Sequence, residues 1–174
     1  MTIKNILTEP DPFLRQKSLK VEEVNDEVRS LMDDMLATMY NAPGIGLAAI
    51  QIGVPKRIIV MDLSRDEEKK NPLYFINPEI ITNSDNDAIY EEGCLSVPGQ
   101  FAEISRPDKC KVKYLDYHGK EKILEAKGLL ATCIQHEIDH LEGILFIDYL
   151  SKLKKSMIVK KLSKQKKSLE RIVV

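Results

Sequence analysis

Residues 131–143 read ATCIQHEIDHLEG and hold two of the chain's three histidines, His136 and His140, four positions apart with Glu137 beside the first. On an α-helix, residues i and i+4 stand one above the other, so both imidazoles can reach a single ion. Glu137 lies one position round from His136. It therefore faces the open side of such an ion rather than coordinating it, where a carboxylate can take a proton from water. The plainer alternative is a pair of core histidines satisfied by hydrogen bonds, but a Glu between two His at this spacing favours a metal. His118 falls in the turn-like stretch HGKE and reads as a turn residue.

Two histidines leave the site incomplete. Metzincin proteases place a third His six residues after the second, but this chain has Phe146 there. Thermolysin-like proteases use a later Glu, yet the only acids beyond the helix are Asp148 and Glu170, the latter near the end of a basic tail. Cys133 shares the helix, but seven residues, about 10.5 Å of axis, separate it from His140. It reads as a small wall residue. Cys94 in EEGCLSVPG remains, after Gly93 and before Pro98 and Gly99, which read as breaking the strand. A lone Cys is more often a buried core thiol, and on the residues alone that alternative stays open.

These residues must be positioned by secondary structure. NDEVRSLMDDMLATMY (25–40) spaces Val28, Leu31, Met32, Met35, Leu36 and Met39 for a helix started by Asn25 and Asp26. Strand-like runs follow at 57–63, at 73–82 (broken at Pro78) and at 110–117, with a hairpin turn into 122–126. A second helix fits 128–143 and a third fits 151–172, starting at Ser151. Strands grouped between helices without regular alternation indicate an α+β fold.

The 174 residues suit one domain. No stretch approaches the roughly eighteen apolar residues of a membrane span, and three unevenly spaced cysteines do not form a disulfide framework. The expectation is a cytoplasmic protein with free thiols. A net charge of −1 gives no general pull toward DNA or membrane. It hides an asymmetry, however, because residues 151–174 hold nine Lys/Arg against Glu170 alone. Residues 1–150 thus read as the catalytic unit, and 151–174 as a basic helical extension of the same domain.

Three segments taken together, GIGLAAIQIG (44–53), EEGCLSVPG (91–99) and QHEIDHLEG (135–143), resemble peptide deformylase, and LSVPGQ keeps the form of its first bacterial type. The resemblance covers the whole chain. It implies antiparallel strands packed around a central metal-binding helix, with Cys94, His136 and His140 holding one divalent ion. That ion is commonly ferrous iron, although zinc, nickel or cobalt also suits the donors. Glu137 would be the general base, with Gln51 and the Leu95 backbone N–H facing the developing oxyanion. Gly44, Ile45 and Gly46 would line the cleft and pair with substrate backbone. GIGLAA also matches a dinucleotide-binding pattern, but a helix precedes it and no crossover follows, so that reading fails.

The implied reaction removes the formyl group from N-formyl-methionyl nascent peptides. The methionine side chain needs an apolar pocket, for which Tyr90, Leu95, Leu129 and Cys133 are candidates. Phe101 stands where some relatives carry Arg, so no ionic contact to the peptide is expected there. By the same resemblance the basic C-terminal helix would dock on the ribosome, with Leu153, Met157, Val159, Leu162, Leu169 and Ile172 giving it apolar contacts. The competing functions are a zinc endopeptidase and a non-catalytic protein with a structural metal. The first lacks a third ligand, and the second would need four.

Overall fold

The computed structural model describes residues 1–64 and 69–172. Among these lie three α-helices and seven strands. Helix α1 (Asp26–Asn41) starts where the Asn25 side chain accepts a hydrogen bond from the Val28 N–H, and it buries Val28, Met32, Met35 and Met39. Strands β1 (Gly46–Ala48), β2 (Ile58–Met61), β3 (Leu73–Asn83), β6 (Lys109–Leu115) and β7 (Glu121–Lys127) form an antiparallel sheet in the order β1-β2-β3-β6-β7. Between β3 and β6 the chain makes an excursion, in which β4 (Asp87–Cys94) and β5 (Val97–Pro107) pair as a separate two-stranded ribbon. Helix α2 (Leu129–Leu141) and helix α3 (Lys152–Ile172) complete the α+β fold.

All four residues of β2 are buried, because a helix covers each face of the sheet. With a period of two, Ile58 and Val60 join the α1 methionines, whereas Ile59 and Met61 join Ala131, Ile134 and Leu141 of α2. A third cluster joins Val97 and Ile104 of β5 to Phe146 and Ile147, in a short 3-10 turn before α3, and to Leu162 of α3. Helix α2 is thus held between the sheet and the ribbon. Its C-terminus is set by Gly143, which has φ +75° and lies so close to the Arg15 carbonyl that a Cβ would collide with it.

Three local expectations are corrected. Pro78 does not break its strand: β3 continues through it by a register shift between Ile76 and Glu79, with Asn77 at φ +51°. Asn77 tolerates that geometry, and its amide clasps Val21 by accepting from the N–H at 2.8 Å and donating to the carbonyl at 2.9 Å. Pro98 and Gly99 do not end a strand either, since β5 runs through both. An edge strand of a two-stranded ribbon has one unpaired side, where a missing N–H removes no ladder bond. Among the described side chains of α3, only Leu162 is buried, with Ile158 and Val159 packed around it, while Leu153, Met157 and Leu169 are exposed. At 100° per residue Leu153 and Met157 point away from the Leu162 face, and Leu169 lies about 10.5 Å further along the axis. The side chains of Arg171 and Ile172, with Val173 and Val174, lie outside the described residues.

The Asn77 clasp should carry measurable stability. Asn77→Ala removes two hydrogen bonds and places a Cβ-bearing residue without a compensating side-chain bond at positive φ, so a loss of about 2–4 kcal/mol is expected. Asn77→Gly should lose only the hydrogen-bond part. Urea unfolding of both variants measures the difference, and equal destabilisation would refute the backbone contribution.

Candidate active site

Each element delivers one part of the site. Helix α2 presents Leu129, Thr132, Cys133 and His136 along one face, at three- and four-residue spacing. The tip of the ribbon brings Cys94 to this face: Cys94 pairs with Val97 across a two-residue turn, Leu95–Ser96. The Cys94 Sγ lies 3.2 Å from His140 Nε2. One ligand atom each from Cys94, His136 and His140 falls within 4.8 Å of the others, and among the described residues this is the only such group of three or more His, Cys, Asp or Glu residues. A thiolate and two imidazoles suit a borderline-soft divalent cation.

The histidines differ in how they are held. His136 Nδ1 is 2.8 Å from Glu92 Oε2, which leaves Nε2 for coordination. Glu92 is itself gripped by Arg106, whose Nε donates to Oε1 at 2.6 Å and whose Nη2 donates to Oε2 at 3.0 Å. Arg106 also donates to Asp139 of α2 at 2.8 Å, and the Tyr149 hydroxyl donates to the same carboxylate oxygen at 2.7 Å. Burial alone would raise the Glu92 pKa, but the bonds from His136 and Arg106 outweigh it and hold the carboxylate below its usual range. Burial and the charge of His136 push His140 well below the ordinary imidazole range, toward the neutral form that a ligand needs.

Glu137 is 5% exposed, and its Oε2 has no hydrogen-bond partner. Burial pushes its carboxyl up to about 7, against the opposing charge of His136. Room for it depends on Gly46, where any Cβ would run into the Glu137 carboxyl. Gln51 sits in the short turn after β1 and is 1% exposed, not a surface amide. Its Oε1 accepts from the Ala48 N–H at 2.9 Å, and its Nε2 reaches Ser96 Oγ at 3.0 Å and Cys94 Sγ at 3.6 Å.

A cavity of about 470 Å³ opens over these groups. Gly44, Ile45, Gly46, Gln51, Tyr90, Cys94, Leu95, Leu129, Cys133, His136 and Glu137, all expected from the sequence, line it together with Phe101 and Thr132. His140, 1% exposed, lies beneath. The segment 44–46 leads into β1 at one end of the sheet, with β2 on one side only. Cys133 stays within the wall, its thiol pushed up to about 12 mainly by burial. His118 is exposed in the turn before β7. The sequence reading missed Glu92, Arg106, Asp139 and Ser96. Glu92 and Arg106 look like surface charges in EEG and SRPD, and only a buried partner gives them meaning.

The Glu92–Arg106 pair is inaccessible to water, so removing one member strands the other. Arg106→Met should cost about 3–5 kcal/mol in chemical denaturation. A loss below about 1 kcal/mol would show that Glu92 finds another partner.

The sequence pattern of the polypeptide deformylase family matches residues 3–156. The chain is 71% identical over its full length to the full length of a peptide deformylase from Pelagibacter ubique, and 56% identical over 97% of both chains to that of Rhizobium meliloti. Its fold superposes on a crystal structure of peptide deformylase from Ehrlichia chaffeensis in complex with actinonin, with a TM-score of 0.91 and 46% identity over 95% of this chain and 98% of that one. A Met-Ala-Ser-bound class I type b peptide deformylase from Acinetobacter baumannii gives a TM-score of 0.81 at 31% identity over 86% of this chain and 99% of the other. Sequence and backbone agree along nearly the whole chain, and the protein belongs to the polypeptide deformylase family.

Proposed function

We propose that Cys94, His136 and His140 hold one divalent ion, and that Glu137, Gln51 and the Leu95 backbone N–H carry out the deformylation that family membership assigns to this chain. The observation that carries this reading is a buried, unpartnered Glu137 carboxyl beside three convergent soft ligands. When bound, the ion supplies Lewis acidity, lowering the pKa of water toward about 7 and polarising a carbonyl oxygen. We favour ferrous iron, with zinc, nickel and cobalt chemically compatible with the same donors.

The substrate is the N-formyl-methionyl end of a nascent polypeptide. Glu137, with a carboxyl near neutrality, takes a proton from the attacking water and returns it to the departing amine. The C–N bond of the formamide breaks, releasing formate and a free N-terminus. Charge develops on the former carbonyl oxygen within reach of the Gln51 amide and the Leu95 N–H, a place where each donor is worth about 10²–10³-fold in rate. Gly44, Ile45 and Gly46 pair with substrate backbone, while Tyr90, Leu95, Leu129 and Cys133 receive the methionine side chain. The Acinetobacter relative binds Met-Ala-Ser, a peptide of the same chemical class as the proposed deformylated product. An endopeptidase or a purely structural metal site leaves the family match unexplained.

Residues 1–150 form the catalytic unit in this reading, working in the cytoplasm where chains emerge from the ribosome. No described helix is long and apolar enough to cross a membrane. Helix α3 would contact ribosomal RNA and protein, a role supported by the exposed Lys152, Lys154, Lys160, Lys161, Lys164, Lys166 and Lys167 along one 21-residue helix.

Glu137→Gln should fold and keep its metal, yet lose at least about 10²-fold in formate release from a formyl-methionyl peptide, as expected when a general base is removed. Near-normal turnover of the metal-replete variant would dismiss Glu137 as the proton carrier. Cys94→Ala should lower the metal content per chain, whereas Cys133→Ala and Cys110→Ala should not. Metal analysis of protein purified without oxygen decides both the ligand and the ion. Removing 151–174 should weaken co-sedimentation with ribosomes, steeply so with rising salt, and equal binding by both forms would sink the docking role.

A further inference from the structure

A second cavity, of about 590 Å³, lies between β5 and α3. Residues 100–103 form one side, and Leu150, Lys154, Met157, Ile158 and Lys161 form the other. Side chains of a strand alternate between its two faces, so four consecutive lining residues mean that this groove follows the edge of β5. That edge is free, because β5 pairs with β4 alone. Its backbone is also under-paired: between the pairs Glu92–Ala102 and Cys94–Val97, the single residue Gly93 stands opposite residues 98–101. Among the described residues, no backbone hydrogen bond outside the β4–β5 ladder involves 98–103. Phe101 lines both this groove and the catalytic cavity, which Pro98 and Gly99 also border, so the bulged segment is a continuous rim from one to the other. The Phe101 ring is 65% exposed and lies against Gly93, where a Cβ would collide with it. Across the groove, Lys154, Met157, Ile158 and Lys161 share one face of α3 by their spacing, and Met157 is 63% exposed.

We infer that this groove is an exosite for the nascent chain itself. The segment beyond the first few residues lies extended along the free edge of β5, with apolar side chains against Phe101, Leu150, Met157 and Ile158. The inference rests on the reading of the site above, because the chain leaves the catalytic cavity past Phe101. Continuity with that cavity decides the occupant. Once the formylated end is seated, the downstream backbone is held at the mouth of the groove, so binding there is intramolecular and weak contacts suffice. Lys154 and Lys161 stand seven residues apart, about 10.5 Å along the helix, which is the span of about three extended residues. An edge strand offers its N–H and C=O groups to any extended backbone, so the groove tolerates varied sequences. Apolar side chains add the preference, since Glu103 faces the two lysines across the groove and leaves little net charge to select by.

The test compares formyl-Met-Ala-Ser with two longer peptides, formyl-Met-Ala-Ser-Leu-Leu-Ser and formyl-Met-Ala-Ser-Gly-Ser-Ser, using the metal-loaded enzyme and its Met157→Glu and Leu169→Glu variants. Met157 is exposed, so its replacement leaves the core intact, and Leu169→Glu makes the same charge change on α3 outside the groove. The leucine peptide should exceed the tripeptide by roughly tenfold in kcat/KM, mainly through a lower KM, and the Gly-Ser peptide should gain less. Met157→Glu should abolish most of the leucine gain while leaving the tripeptide unchanged, and Leu169→Glu should keep the gain. Equal kcat/KM for the tripeptide and the leucine peptide would overturn the inference, as would a gain that survives Met157→Glu. Equal loss in both variants would reduce the effect to charge and overturn it as well. A dimer that Met157→Glu converts to monomer would give the groove to a second copy instead. Failure of the unmodified enzyme to release formate from the tripeptide would overturn the underlying assignment of the site.

Discussion

The buried ion pair between Glu92 and Arg106 ties the catalytic group together. His136 and His140 lie on one helix, but Cys94 is 46 residues from His140 and arrives on the tip of a ribbon that is not part of the main sheet. A ribbon of two strands is marginal by itself. Here Arg106 on β5 holds Glu92 on β4 and Asp139 on α2, and Glu92 in turn holds His136. The contacts that dock the ribbon against the helix also orient the His136 imidazole. Position of the Cys94 thiol and orientation of the His136 imidazole thus depend on the same few charges, of which Glu92 and Arg106 are buried and Asp139 is partly exposed.

A second constraint is space. Gly46, lacking a side chain, leaves the volume that the Glu137 carboxyl occupies. Side chains at this position would displace the carboxyl from the ligand group. The carboxyl is buried without a full set of partners, which raises its pKa toward neutrality and suits proton transfer at ordinary pH. A buried carboxyl without a full set of partners costs stability in the free protein.

The local pattern of His136, Glu137 and His140 was legible from the chain alone, because four-residue spacing on a helix is short-range geometry that no distant contact alters. The same holds for the Asn25 cap, the apolar stripe of α1, and the exclusion of a nucleotide fold around Gly44. Cys94 was nameable only through resemblance to a family, since nothing local separates a ligand thiol from a core one. The ribbon itself escaped notice. Its strands alternate weakly and carry Pro98 and Gly99, and the energetics that make these residues breakers apply to a central strand and not to an edge.

The sequence by itself determined the chemistry at hand: a helical pair of imidazoles with an adjacent carboxylate, an α+β order of elements, and a basic C-terminal helix. Tertiary structure decided what local sequence left open: that the Cys94 thiol converges with the two imidazoles, that Glu92 and Arg106 are buried partners rather than surface charges, and that Leu162 rather than Leu153 or Met157 anchors α3. The reason is one of range. Helical periodicity and capping depend on neighbours within a few residues, whereas the value of a charge or a thiol depends on desolvation and on partners that only chain folding brings within bonding distance.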